Sequence, residues 1–307
     1  MEGLKDIRNA VFELAERKTD AVLNLTSLTP VTRDNVVQLR TKKGTHHSLV
    51  QNGLTSYLNR IGIPVGFFKK CNNENKRGLL EQFHAEHADQ EVLLRKIDNN
   101  IRFMASSKYS CFDNHDVLDA FKDIDSDLKV KEHHNTDGHF VLRLVADPIQ
   151  ITDKKPFYPG VQVINSEIGE SSVKIQFFLW EEVCTNGMVI SRAQFPMYRM
   201  IHIGKKRHND LKKALEQKIK EIPDFIDTCT KLLSSSEQRD AKEAIDRIQR
   251  SVEIPLNIKE KIKNKLEDTD GLSSLDVLSA MTNAIQSCSW SERLRLEEKA
   301  GDLLFAA

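Results

Sequence analysis

The fold is decided by residues 160–206, which read GVQVINSEIGESSVKIQFFLWEEVCTNGMVISRAQFPMYRMIHIGKK. Apolar residues alternate with polar ones through Val173, Ile175 and Phe177, and this period of two is typical of β-strands. Shorter strand-like runs lie on either side, at Val161–Val163 and Met197–Ile203. The stretch therefore predicts a sheet, mostly antiparallel, whose chain turns back several times.

Two polar segments interrupt these strands. They are Asn165-Ser166-Glu167, followed by Gly169, and Cys184-Thr185-Asn186-Gly187. Short polar side chains at strand ends can converge on a ligand, but Asn, Ser and Gly are also the residues that tight turns use. The favoured interpretation is a structural polar network that consists of Asn165, Ser166, Glu167, Asn186 and Gly187.

The composition excludes several classes of protein. The chain has 307 residues, and its 45 Lys plus Arg balance 45 Asp plus Glu, so net charge indicates neither nucleic acid nor an anionic membrane as a partner. The five cysteines form no CxxC pair, which argues against a thiolate zinc site or a disulfide framework. No apolar run approaches the ~18 residues of a membrane span. We expect a cytoplasmic protein without membrane contact.

Upstream of residue 160 the patterns predict helices and hairpins in alternation. Asp98-Asn99-Asn100 separates two strand-like runs, and Asp137-Gly138 separates two more, which is typical of antiparallel hairpins. Asp113 precedes an apolar periodic segment and is suited to begin a helix. After Lys206 the sequence becomes charged and helical. We therefore predict an α+β fold, with a mostly antiparallel sheet and packed helices in a core domain over 1–206, followed by an all-helical region over 207–307.

The chain resembles a phage- and plasmid-encoded family of unknown function, whose chromosomal members include the YfjQ and YafZ group of bacterial prophage regions. The resemblance covers most of the chain and is carried by RIGIPVGFF (60–68), FMASSKYSCFDNHDVLDAF (103–121), GVQVINSEIGESSVKI (160–175), VCTNGMV (183–189), MIHIG (200–204) and LSAMTNAIQ (278–286).

This resemblance implies a mobile-element protein made in a bacterial cytoplasm, and it implies no reaction. One departure concerns the segment before Cys184. The family usually has an arginine there, whereas this chain has Trp180-Glu181-Glu182. A cation at that position is therefore not expected in this chain.

The catalytic candidates are few. Glu167 could act as a general base, and Cys184 could act as a nucleophile with His202 as its base, provided that the two meet in space. Cysteine is also a common buried apolar residue, so a structural role for Cys184 is favoured. His84 and His87, with Asp113 and His115, form no paired metal-ligand motif, and capping or solvated roles are favoured for them. We predict no metal and no cofactor.

Basic residues beside aromatic ones indicate a second kind of site. Cations neutralise phosphates and flat side chains stack on unpaired bases, so such clusters suit single-stranded nucleic acid. A solvated helix start and core aromatics are the alternative reading. The candidate nucleic-acid contacts are Lys69, Lys70, Arg192, Tyr198, Arg199, His202, Lys205, Lys206 and Arg207.

Three hypotheses of function follow. The first is a phage or mobile-element protein that binds single-stranded DNA or RNA without catalysis, in single-strand handling or recombination. The second is an effector that binds and modulates a host defence or replication enzyme. The third is a hydrolase or transferase that uses Glu167, Cys184 and His202. The C-terminal helices could cover the sheet or form a homo-oligomer contact, and packing within the chain is favoured.

Overall fold

The computed structural model describes residues 3–33, 36–122, 124, 126–136, 138–152, 155–181, 186–190, 195–204, 208–234, 245–251, 253–267 and 274–305. Over these ranges the chain forms two β-sheets with helices packed on them, followed by helices at the C-terminal end. The predicted α+β class is confirmed.

The first sheet has six strands in the order β1-β5-β6-β4-β3-β2. All neighbours are antiparallel except β4 and β6, which run parallel. The strands are β1 Lys18–Asn24, β2 Leu28–Arg33, β3 Val36–Thr41, β4 His46–Leu49, β5 Glu91–Ile97 and β6 Asn100–Ser106.

Helix α2 packs closely on the first sheet because one of its residues has no side chain. A Cβ atom at Gly53 would lie 2.1 Å from the carbonyl oxygen of Ile101, so only glycine permits this approach. Beside it, the hydroxyl of Ser56 accepts a hydrogen bond of 2.9 Å from the backbone N–H of Met104. The helices of this part are α2 Gln51–Arg60, α3 Val65–Lys70 and α4 Asn73–Glu86.

The second sheet has seven strands. Its main order is β12-β11-β10-β8-β7, with β13 paired to β11 and β9 paired to β10, and all of these neighbours are antiparallel. The strands are β7 Lys129–Asn135, β8 Phe140–Val145, β9 Ile149–Thr152, β10 Lys155–Asn165, β11 Val173–Glu181, β12 Asn186–Ile190 and β13 Tyr198–Met200.

The remaining helices surround the second sheet. They are α1 Leu4–Glu16, α5 Asn114–Ala120, α6 His208–Lys220, α7 Ile222–Ser234, α8 Leu256–Glu267, α9 Ser274–Ala284 and α10 Trp290–Phe305, with a further helical segment over 245–250. Short 3₁₀ turns occupy Leu25–Ser27 and Ile285–Ser287.

The two sheets have separate apolar cores, and one is nested within the other along the chain. The core of the first sheet draws its buried residues from Leu25 to Met104. The larger core contains Ile7 and Val11 of α1, and then resumes at Phe112 and continues to Ala300. The chain thus begins in the larger core, leaves it to build the first sheet, and returns.

Both hairpins predicted from turn residues are confirmed. Strands β5 and β6 pair around Asp98, whose φ of 51° places it in the left-handed region, and β7 pairs with β8 across the Thr136–His139 turn. Helix α3 was not predicted, because its six residues are too few to show a helical period. The domain division at residue 206 stays a prediction, and the larger core includes side chains from both sides of it.

Candidate functional site

Glu167 lies in the connection between β10 and β11 and is almost completely buried. One carboxylate oxygen, Oε2, is 2.7 Å from Lys18 Nζ and 2.7 Å from Arg102 Nη1. The other, Oε1, accepts a hydrogen bond of 2.9 Å from the backbone N–H of Asn114 at the start of α5. Both oxygens are therefore occupied, and the carboxylate joins β1 and β6 of the first sheet to the second.

The environment of Glu167 makes it a weak base. Burial alone would raise the pKa of the carboxyl group, but the cations Lys18 and Arg102 and the N–H of Asn114 outweigh burial and lower the pKa to about 2. A carboxylate with so low a pKa holds a transferred proton poorly at neutral pH. The geometry thus gives Glu167 the part of a counterion between the two sheets.

Asn165 and Ser166 also turn inward. The side-chain amide of Asn165 donates to the carbonyl of Phe112 (3.0 Å) and to the Oδ1 atom of Asn114 (2.9 Å). The Ser166 hydroxyl accepts bonds from the backbone N–H groups of Ile168 and Glu170. These side chains hold the loop and the start of α5, and both are buried.

A buried arginine that the sequence motifs did not predict joins the same residues, which together form the polar junction between the two sheets. Arg95 of β5 donates through Nη2 to both oxygens of Asp113, at 2.6 and 2.8 Å, and through Nη1 to the carbonyl of Glu167 at 2.7 Å. Its Nε donates to Asp20 of β1 at 3.0 Å. The sequence does contain an indication of it, which is the single arginine within the largely apolar strand EVLLRKI. A charged side chain that is buried in such a strand requires partners of opposite charge or hydrogen-bond acceptors.

His202 is buried beside this junction. Its ring stacks on Tyr109 with centroids 5.3 Å apart and an interplanar angle of 5°, and its Nδ1 lies 3.3 Å from the carbonyl oxygen of Ser110. Burial lowers the pKa of His202 and raises that of Tyr109, while burial raises the pKa of the neighbouring Cys111 thiol to about 12. His202 is only 7% exposed, so it offers little surface to an external strand of nucleic acid, and its place among the predicted contacts stays a prediction.

The described residues of the two polar segments, Asn165–Glu167 and Asn186–Gly187, do not meet. Asn165 follows Ile164, which pairs with Lys174, whereas Asn186 pairs with Glu181 at the other end of β11. Seven residues of extended strand separate these ends, which corresponds to about 23 Å. Asn186 and Gly187 thus lie far from Glu167. Cys184, the candidate nucleophile for which a structural role was favoured, lies outside the described residues.

The basic candidates lie on two different parts of the fold. Lys69 and Lys70 are exposed at the end of α3, a helix that packs on the first core through Phe68. Arg199 is exposed on β13 of the second sheet. Arg199 donates through Nε to the Ser172 hydroxyl at 3.0 Å, and the neighbouring Tyr198 is partly buried against the larger core. Tyr198, Arg199, Met200, Ile201 and Asp210 line an open depression of about 540 Å³. Arg192, Lys205, Lys206 and Arg207 lie outside the described residues.

A second buried charge network lies on the opposite side of the second sheet. Arg143 of β8 is fully buried and donates to Glu132 (2.9 Å) and to Glu297 of α10. Arg293 of α10 contacts the same two carboxylates at 3.0 Å each, which closes a ring of two cations and two anions. These ion pairs hold α10 against the sheet. In the sequence, the single arginine within the apolar strand HFVLRLVA indicates that such a network is needed.

The histidines considered for a metal have other contacts. His84 Nδ1 lies 2.8 Å from the Tyr57 hydroxyl and its Nε2 faces the carbonyls of Leu25 and Leu28, while His87 Nδ1 lies 2.9 Å from the carbonyl of Phe83. The described residues contain no group of three or more His, Cys, Asp or Glu side chains placed to hold a metal ion. Over the same residues, no helix combines the length and the apolar character needed to cross a membrane.

The low pKa of Glu167 predicts a specific dependence of stability on pH. Because its folded pKa lies below the ordinary value of 4.5, its ion pairs should stabilise the fold fully above pH 4.5 and progressively less as pH falls toward 2. Urea unfolding of the wild type and of Glu167→Gln at pH 7, 5, 3.5 and 2.5 measures this. The difference in unfolding free energy should shrink through the two lowest values, and a constant difference would contradict the assignment.

Comparison with known protein families gives a match. A family model described as a domain of unknown function, DUF932, matches residues 104–274. This span begins in β6 and includes α5, the polar junction around Glu167 and the second sheet. No curated protein and no solved structure gives a significant match.

Proposed function

Because the chain belongs to the DUF932 family, whose function is unknown, we propose a role from its own surface: binding of single-stranded nucleic acid without catalysis. The observation that carries this proposal is helix α3, where Phe67 is 56% exposed beside the exposed cations Lys69 and Lys70. Neither lysine has an ion-pair partner within the part of the chain that the structure describes. An exposed ring can stack on a base while the ammonium groups meet phosphates.

The depression at β13 supports the same role. Arg199 is exposed and lines this depression together with Tyr198, and in the sequence three further basic residues follow at 205–207. The resemblance to the YfjQ and YafZ group extends the proposal to a phage or plasmid protein that acts in a bacterial cytoplasm, in single-strand handling or recombination. The proposed role includes no catalysis, because Glu167 is held as a counterion of Lys18 and Arg102 and His202 is buried.

The α3 cluster can be tested with a triple variant, Phe67→Ala, Lys69→Ala and Lys70→Ala. We expect wild-type protein to bind a fluorescein-labelled 20-nucleotide strand at 50 mM salt, and the variant to bind it at least about tenfold more weakly, because each lost stacking contact costs about 1–3 kcal/mol. The logarithm of the association constant falls linearly with the logarithm of the salt concentration, and the magnitude of this slope should decrease by about 1.4, or about 0.7 for each cation removed. Fluorescence anisotropy over a salt series measures both.

The matched control is Lys220→Ala with Lys231→Ala, which removes two exposed lysines from α6 and α7. It should leave the affinity for the strand unchanged. If the wild type does not bind any oligonucleotide at low salt, the proposed function is wrong. If the control variant loses as much affinity as the α3 variant, the binding depends on net charge and not on this helix.

A second candidate is an effector that binds a host defence or replication enzyme. It is favoured by Ile201 and Ile203, which are 54% and 60% exposed beside the buried His202. Exposed apolar side chains of this kind suit a protein contact, either with a host protein or with a second copy of the chain. Such a complex would survive nuclease treatment, whereas a nucleic-acid complex would not.

A further inference from the structure

The outer face of the first sheet, which is the face turned away from its core, is covered over only half of its width. Over β5 and β6, Arg95 contacts the carbonyl of Glu167, and the Phe103 ring packs against Gly169 so tightly that a Cβ there would lie 2.9 Å from it. Gly169 has a φ of 76°, which also favours glycine. The connection after β10 therefore shields this half of the face.

The other half, over β2, β3 and β4, is open. Strand register places eight outward residues on one surface, which we call the open face: Thr29, Val31, Arg33, Val36, Gln38, Arg40, His46 and Ser48. Val31 pairs with Gln38, and the Gln38 amide donates to the Ser48 hydroxyl at 3.2 Å, so the three strands share this side. The alternate residues Leu28, Val37 and Leu39 are buried in the first core.

The open face and its hairpin are strongly cationic. Arg33, Arg40, Lys42 and Lys43 are exposed, and none forms an ion pair within the described ranges. From residue 35 to residue 73 the sequence contains no Asp or Glu at all. By contrast, several arginines elsewhere have carboxylate partners. These pairs include Arg8–Asp119, Arg17–Asp98 and Arg77–Glu81.

We propose that the open face binds the phosphate backbone of a nucleic-acid duplex. The inference rests on the proposed nucleic-acid function and adds a second surface with a different ligand form. Guanidinium groups match phosphate oxygens in a bidentate geometry, and ammonium groups add point charge. The open face has no Phe, Tyr or Trp among its eight residues, and its one ring is the half-buried His46, so it lacks the row of aromatic side chains on which a single strand stacks. Phosphate contacts alone suit a duplex, whose bases are already paired.

The spacing of the cations fits two strands of phosphates. Arg33 lies opposite Val36, and Arg40 lies four residues farther along β3, a separation of about 13 Å. This is comparable with the ~12 Å width of the major groove of B-DNA. Lys42 and Lys43 continue the charge beyond Arg40, at the turn between β3 and β4. One cation group can thus meet each side of the groove.

The test is a fourfold variant in which Arg33, Arg40, Lys42 and Lys43 are each replaced by Gln. All four side chains are exposed, so circular dichroism and thermal unfolding should match the wild type. Anisotropy with a labelled 20-base-pair DNA duplex at 100 mM salt should show at least about a tenfold loss of affinity. The slope of log K against log salt should fall by roughly 3 to 4, at about 0.9 for each cation removed.

The matched control neutralises four exposed cations of the C-terminal helices, namely Lys220→Gln, Lys231→Gln, Arg250→Gln and Lys261→Gln. It should keep the wild-type slope. An unchanged slope in the open-face variant would overturn the inference, and so would displacement of the duplex by poly-Glu at equal charge concentration. Wild-type protein that binds the single strand but no duplex would overturn the inference alone, whereas binding of neither would remove the proposed function as well.

Discussion

Replacing Glu167 by alanine is expected to lower the free energy of unfolding by about 3 to 5 kcal/mol, the cost of removing one partner from a buried ion pair. The carboxylate is the shared counterion of Lys18 and Arg102, and all three side chains are almost fully buried. Without it, two cations would remain close together in a region that excludes water. Urea unfolding at pH 7, followed by circular dichroism, measures the loss.

Glu170→Ala is the matched control, because Glu170 lies three residues away with a side chain that is 40% exposed beside His139. It should cost less than about 1 kcal/mol. Glu167→Gln keeps the volume of the side chain, so its loss isolates the charge from the packing. Equal losses for Glu167→Ala and Glu170→Ala would show that the buried pairs contribute no more than a surface pair.

Replacing Arg143 by methionine is expected to cost a similar 3 to 5 kcal/mol. Its guanidinium is fully buried between the rings of Phe178 and Trp290, at 5.6 and 5.7 Å from their centroids, and it neutralises Glu132 and Glu297. The variant would leave a ring with one uncompensated negative charge. Both tryptophans of the chain, Trp180 and Trp290, flank this face, so intrinsic fluorescence should report the loosening of α10 directly.

The double variant Arg143→Met with Glu297→Met removes one charge of each sign and leaves Arg293 paired with Glu132. Its loss of unfolding free energy should be smaller than the sum of the two single losses by about 0.5 to 3 kcal/mol, the range of coupling between contacting residues. Glu298→Ala, which removes the half-buried Lys174–Glu298 pair one residue along α10, is the control and should cost about 1 kcal/mol or less. If the losses of unfolding free energy for Arg143→Met and Glu297→Met simply add in the double variant, the two side chains do not interact and the proposed ring of ion pairs is wrong.

Local patterns predicted the fold well where the determining residues are neighbours in sequence. Asp98 and the turn at 136–139 indicated their hairpins because a turn is specified by the residues within it. The alternation at Val173, Ile175 and Phe177 predicted β11 because one face of that strand is buried in the larger core. The same reasoning missed the short helix α3 and the separation of the strands into two sheets.

The charge networks could not be predicted in the same way, since their partners are distant in sequence. Lys18 lies 149 residues from Glu167, and Arg143 lies 154 residues from Glu297. A lone arginine in an apolar strand shows that a partner is required, but many acidic residues could supply it. The separation of the two polar segments likewise depends on strand register, which places Asn165 and Asn186 at opposite ends of β11.

The nesting of the two cores has a consequence for synthesis on the ribosome. The first core is complete in sequence once Met104 has been added, whereas the larger core needs Ala300. At typical rates of 5 to 20 residues per second, the second event follows the first by roughly 10 to 40 s. Helix α1 is synthesised before either core. Its Ile7 and Val11 belong to the larger core, so they stay unburied until the later residues of that core have been made. The first sheet can therefore fold on the nascent chain before the larger core is complete. Helix α10 is the last element to be added to the larger core.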